Sequence, residues 1–370
     1  MVILNVWLDN FYAFKDFRMN LTYPKKIVDS CIQNEHLKDR PNFRYKKVNI
    51  IMGANASGKT TLGRILMGIF NFISQKNPVF ITGAIKDRTH AASFAIDLVC
   101  RSNNLYRITC TVSPKPNGKY DTGDIKLEVR KESIWIKDSY ESCARRLEAA
   151  PSSPSENYLE ELDKVEALAW MFEYPRDTKF VLQISPKDKK FPFVLENILK
   201  ALDPSIQEVV KSREVEDAYV IRLRDESIIL QRGTSFDTDQ LSSGTKAGVI
   251  IAEVVSALLQ GACTFYYCDE QFSYIHSDIE KAILSLMIDS IQPNEQLFFT
   301  THNTDVLDMN LPKHSFTFLR KDSNNTEHPI SCVSASSLLK RSSDSLKNAV
   351  ENDLFSTSPA VDLIYAIAEL

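Results

Sequence analysis

Between residues 47 and 73 the chain passes from a short β-rich run through a glycine-bounded turn into a helical pattern, and no other stretch restricts the fold as much. Lys47–Met52 is the β-rich run, and Gly53-Ala54-Asn55-Ala56-Ser57-Gly58-Lys59-Thr60 follows it directly. Leu62, Ile65, Leu66, Ile69 and Phe70 then recur at helical spacing over Thr60–Ile73. Strand, glycine turn and helix open an α/β unit. The turn matches GxxxxGK[ST] in full, in the structural context that this pattern requires. Its glycines let successive backbone N–H groups and the helix start face phosphate oxygens. Lys59 is spaced to reach the β and γ phosphates, and the Thr60 hydroxyl to ligate Mg²⁺, with Thr61 beside it. Gly53, Ala54, Asn55, Ala56, Ser57, Gly58, Lys59, Thr60 and Thr61 are therefore read as a nucleotide phosphate site.

The rest of the chain reads as a large α/β protein. Its 370 residues can bury a substantial core, and 44% hydrophobic with 25% charged residues excludes a disordered or collagen-like chain. A net charge of −4 gives no global basic field toward nucleic acid or anionic lipid. Val2–Leu8 is a strand candidate, followed by a turn at Asp9-Asn10 and an aromatic stretch Phe11–Phe17. Strict alternation from Phe94 to Ile136, broken by the Lys115–Gly118 turn, reads as a half-buried antiparallel meander. Residues 140–172 look helical around the Pro/Ser-rich linker Ala149–Asn157. Ala247–Cys268 is apolar enough to span a bilayer, but Gly261 and the β-favouring run Thr264–Cys268 divide it into a buried helix and a buried strand. With Thr245–Leu259 and Ile279–Ile288 helical and Leu297–Thr300 a strand, the alternation predicts a parallel sheet covered on both faces. The seven cysteines form no CxxC pair, so they read as reduced thiols of a cytoplasmic protein. Nothing at the N-terminus reads as a signal peptide.

Further motifs lie in the second half. Phe265–Glu270 is an apolar strand ending in two acids, with Asp269 suited to a Mg²⁺ contact and Glu270 to a general base. Leu297–Asn303 repeats the layout, with His302 at the strand tip, the edge where open α/β sheets bind ligands. Leu241-Ser242-Ser243-Gly244-Thr245-Lys246 leads into a helix and forms a second anion-binding element. Taken singly, each of these is also an ordinary strand cap or Ser N-cap. Their order along the chain is what carries the functional reading.

In that order the chain resembles an ABC-type ATPase of the RecF/SMC/Rad50 branch, and more narrowly the compact prokaryotic AAA-family ATPases of abortive-infection and anti-phage systems. Gly53–Thr60 resembles the Walker A motif, Leu241–Lys246 the signature, Cys268-Asp269-Glu270 the Walker B motif, and Thr300–Asn303 the switch histidine. Leu8–Phe11 with Phe14 resembles the first-strand turn of the branch, and Tyr274-Ile275-His276 the D-loop. The signature departs from the familiar one at Ser243 and Thr245. Gln183 is the candidate for the glutamine loop.

The resemblance implies ATP and Mg²⁺ as cofactors and a homodimer, possible as a larger oligomer, that sandwiches two nucleotides. Ser242 and Gly244 would cap the γ-phosphate held by the partner's Gly53–Thr60 loop. Glu270 would act as base, His302 as γ-phosphate sensor, Lys59 as charge stabiliser, and Thr60 and Asp269 as metal contacts. The implied fold is a P-loop head of this ATPase kind, with a parallel core sheet, an antiparallel β subdomain and a helical lobe. The expected divisions are 1–93 (first part of the ATPase core), 94–136 (β subdomain), 137–232 (insert lobe), 233–320 (second part of the core) and 321–370 (C-terminal extension). No sustained heptads interrupt the middle, unlike an SMC arm. No clustered acids after His302 suggest an appended nuclease. Two outputs stay open. One is a sensor or scaffold controlling a separate effector or toxin. The other is a RecF-like ATPase on duplex DNA, for which Lys25, Lys26, Lys38, Arg40, Arg44, Lys46 and Lys47 offer a basic stretch. No membrane partner is expected.

Overall fold

The computed structural model describes residues 1–370 except 29, 175–179, 182–189, 225, 233–234, 237–241, 323, 342–343, 358–364, 366 and 368–370. The chain forms two compact units. The first comprises Met1–Trp170, Thr264–Tyr266 and Pro293–Leu370, and the second Met171–Cys263 and Tyr267–Gln292.

Among the described residues the first unit holds two large sheets and a small hairpin of His36–Leu37 with Arg40–Arg44. In its antiparallel sheet the strand order is Phe17–Asn20, Val2–Asp9, Ala92–Val99, Asn104–Val112 and Ile125–Ser133. Period-two alternation places Ile96, Ile108 and Val129 opposite one another on the buried face. On the other face the register aligns Asp97 with Arg107. The Arg107 guanidinium grips the Asp97 carboxylate through two bonds of 2.7 and 2.8 Å, which makes burial of that acid tolerable.

In the other sheet, Val48–Met52 lies parallel to Gln296–Thr300 on one side and to Phe316–Lys321 on the other. Ile330–Ser334 adds an antiparallel edge, and Phe265–Asp269, which begins in this unit, follows beyond Gln296–Thr300. The helix Lys59–Gln75 packs between the sheets. Its Phe72 meets Phe94 of the antiparallel sheet at 6.5 Å, and its Phe70 meets Phe265 edge-on at 5.5 Å. The buried Gln296 joins the layers by polar bonds, accepting from the Ile3 N–H at 2.9 Å and donating to Ile3 O and Lys46 O.

In the second unit the helix Ser243–Gln260 packs on Phe191–Leu202, where Gly248 faces Leu199 and Leu202. Phe191 also meets Tyr219 of a small antiparallel sheet, Glu208–Lys211, Ala218–Arg222 and Ser227–Gln231. Gly261 ends the long helix in the left-handed conformation at φ 59°, and the strand Phe265–Asp269 starts soon after. No helix among the described residues is long and apolar enough to cross a membrane.

Two sequence expectations need correction. Residues 140–172 are not helical throughout, because Trp170–Glu173 is a strand. Ala169 O accepts from the N–H groups of Thr264 and Phe265, so pairing outweighs the helix-favouring composition. The meander begins at Ala92 and ends at Ser133, beyond which Trp135 and Ile136 are 60% and 70% exposed. The antiparallel sheet also recruits both N-terminal strands, and Ile330–Ser334 of the expected extension joins the core sheet.

Candidate functional site

The glycine loop leaves the carboxyl end of Val48–Met52, the strand flanked by parallel neighbours on both sides. Three of its residues take positive φ: Gly53 at 155°, Ala56 at 61° and Gly58 at 106°. At Gly53 a side chain is excluded by space as well as conformation. An added Cβ would overlap Leu319 O of the adjacent strand and lie 2.7 Å from Ser57 Oγ. Gly58 is the N-cap of Lys59–Gln75, with no side-chain capping bond. Its left-handed turn starts the helix directly behind the loop. The Lys59 side chain runs back over the loop, and Nζ donates to Gly53 O at 2.8 Å and Ala54 O at 3.3 Å. Ser57 is 2% exposed, and its buried Oγ has no hydrogen-bond partner among the described residues. A curled backbone, an enclosed lysine and an unsatisfied buried hydroxyl form a cradle with the chemistry of an anion site.

His302 stands at the carboxyl end of the neighbouring strand. Thr301 N–H donates to Ile51 O at 3.2 Å, which ties the tip of Gln296–Thr300 to the strand feeding the loop. Asn303 then accepts from Asp305 N–H at 3.0 Å and starts the short 3₁₀ turn Thr304–Asp308. Gly53, Ala54, Asn55 and the exposed His302 line one cavity of about 420 Å³. Two motifs far apart in sequence thus share one edge of the parallel sheet.

The remaining candidates belong to the second unit. Asp269 is 1% exposed at the end of its strand, and half-buried Glu270 follows at φ 45°, an uncommon conformation for a residue other than glycine. Glu270 O accepts from both the N–H and the hydroxyl of Ser273. Burial, with the carboxylates of Glu173 and Asp269 close by, pushes the Cys268 thiol up and keeps it neutral beneath the acidic pair. Ser242 is the N-cap of Ser243–Gln260 and accepts from Thr245 N–H at 3.1 Å. A Cβ at Gly244 would lie 3.4 Å from Tyr274 O, so the signature-like and D-loop-like segments are adjacent within this unit. His276 caps the helix Ser277–Ser290 by accepting from Asp278 N–H at 3.2 Å. Leu241 and Gln183 lie outside the described residues.

The basic stretch does not form a continuous charged face. Lys46 and Lys47 are 4% and 2% exposed, and burial lowers both ammonium groups to about 8. Arg40 Nε is tied to Ile134 O at 3.0 Å. Sequence reasoning also missed part of the cavity wall, since Val350, Glu351 and Thr357 of the C-terminal stretch line it. No local motif marks them.

No protein-family model and no curated protein matches the chain. Solved structures do. The SMC head bound to the C-terminal winged-helix domain of ScpA aligns over 92% of this chain and 100% of its own, at 15% identity and a TM-score of 0.51. An SMC head with an extended coiled coil, bound to the C-terminal domain of ScpA derived from Pyrococcus furiosus, covers 91% of this chain and 98% of its own, at 14% identity and a TM-score of 0.49. The SMC head domain from Thermotoga maritima covers 90% and 99%, at 13% identity and a TM-score of 0.42. The first of these shows that the chain shares the fold of an SMC head.

Proposed function

We propose that the chain binds and hydrolyses ATP as an ATPase of the SMC/ABC type. Two copies close around two ATP molecules and thereby control a separate effector protein, in the manner of an anti-phage or abortive-infection sensor. The observation that carries the ATP reading is the shared cavity of Gly53–Asn55 and His302 at one edge of the parallel sheet, with Lys59 folded over the loop. The SMC-head fold supports it. In this reading the loop N–H groups and Lys59 hold the polyphosphate, His302 senses the γ-phosphate, and Glu270 takes the proton of the attacking water. Ser242 and Gly244 complete the partner copy's site, and Gln183 belongs to the same proposal. The Thr60 hydroxyl and the Asp269 carboxylate are hard oxygen donors of the kind Mg²⁺ takes, and the ion would supply charge neutralisation between the phosphates. Effector control is favoured over duplex DNA because burial of Lys46 and Lys47 removes two of the charges that a phosphate track needs.

Binding and turnover of Mg²⁺-ATP by three proteins test the reading. Wild type binds and hydrolyses, Lys59→Ala loses tight binding, and Glu270→Gln binds while turning over about a hundredfold more slowly. Tight binding by Lys59→Ala would overturn the loop assignment. Undiminished turnover by Glu270→Gln would remove the base.

A further inference from the structure

The cavity of Gly53–Asn55 and His302 is also lined by Val350, Glu351 and Thr357, from the helix Leu346–Glu351 and the turn that follows it. Two attachments hold this segment. Phe355, only 1% exposed, stacks on Phe318 with ring centroids 3.9 Å apart and planes 13° from parallel. Phe318 sits opposite Met52, the residue before Gly53, and Leu319 supplies the carbonyl that closes on Gly53 itself. On the other side, Lys347 Nζ pairs with Asp308 at 2.6 Å, in the 3₁₀ turn that follows His302. The segment also holds its own shape, with Leu354 N–H donating to Ala349 O and Thr357 N–H to the Asp353 carboxylate.

The attachments are unequal. Both partners of the Lys347–Asp308 pair are solvent-exposed by a third or more, so screening leaves that pair weak. The buried Phe355–Phe318 stack is the effective latch. Among the described lining residues the one carboxylate is Glu351, in a cavity that the phosphate-type loop also lines. A bound polyphosphate and that carboxylate repel each other across a shared space.

We propose that residues 346–357 form a strap that holds the nucleotide site in a low-affinity state, with Glu351 set against the polyphosphate and Phe355 on Phe318 as its latch. This deepens the ATP reading and rests on it. ATP binding displaces the strap, and the released segment reports occupancy of the site to the rest of the assembly.

The test uses the full chain as wild type, Glu351→Gln and Phe355→Ser, with Mg²⁺-ATP affinity measured by calorimetry and hydrogen exchange followed over 346–357. Both variants bind ATP about fivefold tighter than wild type. The gain from Glu351→Gln shrinks as salt rises. ATP speeds exchange of 346–357 in wild type. Wild-type binding with variants no tighter, or slower exchange on adding ATP, overturns the strap and leaves the ATP reading standing. Binding by Phe355→Ser alone supports the strap in a stronger form. Absence of binding in all three, with circular dichroism showing folded protein, removes both. Glu351 is exposed, so its variant keeps the test decisive if Phe355→Ser does not fold.

Discussion

Lys46 is 4% exposed, and its ammonium donates to Ser334 Oγ at 3.0 Å while burial holds its pKa near 8 instead of 10.5. A base depressed in the fold binds fewer protons folded than unfolded between those two values. Wild-type stability therefore gains from this residue as pH rises from about 8 to 10.5. Lys46→Met removes that dependence. Below pH 8 the variant is the more stable, by an amount on the order of 3 kcal/mol for such a shift, and the gap closes toward pH 10.5. Urea unfolding of both proteins across that range checks it, and a pH-independent gap would mean that the ammonium is not desolvated. The same residue shows what single-residue reading misses. Lys46 and Lys47 look like surface charge in sequence because nothing local reveals that the strand starting at Val48 is enclosed by neighbours from the far end of the chain. The glycine loop is legible for the opposite reason, since its chemistry is set by eight consecutive residues. The strand-tip position of His302, its role aside, was legible from element order. Glu351 was not, because its place depends on a latch between Phe355 and Phe318 that no spacing encodes.

The helix Lys59–Gln75 carries its loop at one end and a packing constraint in its middle. Gly68 occupies an interior position where alanine would ordinarily add about 1 kcal/mol of helix stability. Here an added Cβ would lie 2.6 Å from Phe80 O, a backbone atom of the short helix Val79–Thr82 that cannot rotate away. Steric cost outweighs propensity, so Gly68→Ala destabilises by about 2 kcal/mol with an unchanged urea m-value. A stabilised variant would show that the contact relaxes freely. Elements with strong periodicity, such as this helix and the meander strands, follow from their own residues. Trp170–Glu173 does not, because it is fixed by backbone pairing to a strand remote in sequence, and Ile330–Ser334 does not, because it is fixed by hairpin pairing to Phe316–Lys321, itself held by Val48–Met52. The apolar run from Ala247 to Cys268 was resolved by Gly261, whose left-handed cap stops the helix before the strand begins.

At the scale of the molecule, the motifs are divided between two compact units. The glycine loop and His302 lie in the first, and Ser242, Gly244 and the Asp269-Glu270 pair lie in the second. The proposed dimer assigns the signature-like Ser242 and Gly244 of one copy to the ATP of the other, so nucleotide becomes the cement between copies and hydrolysis its release. Native mass spectrometry of Glu270→Gln protein, purified from its host with ATP and Mg²⁺, therefore gives two copies with two nucleotides, whereas nucleotide-free protein gives one copy. A strict monomer under ATP would end the shared-site mechanism. Extra protein mass on the twofold species identifies the effector. Nucleic acid in its place would instead favour the RecF-like reading, and a net charge of −4 with Lys46 and Lys47 buried makes that the less expected result. The twofold species is expected to outlast moderate salt, because its cement is coordinated polyphosphate enclosed on both sides and not exposed ion pairs, which salt screens first.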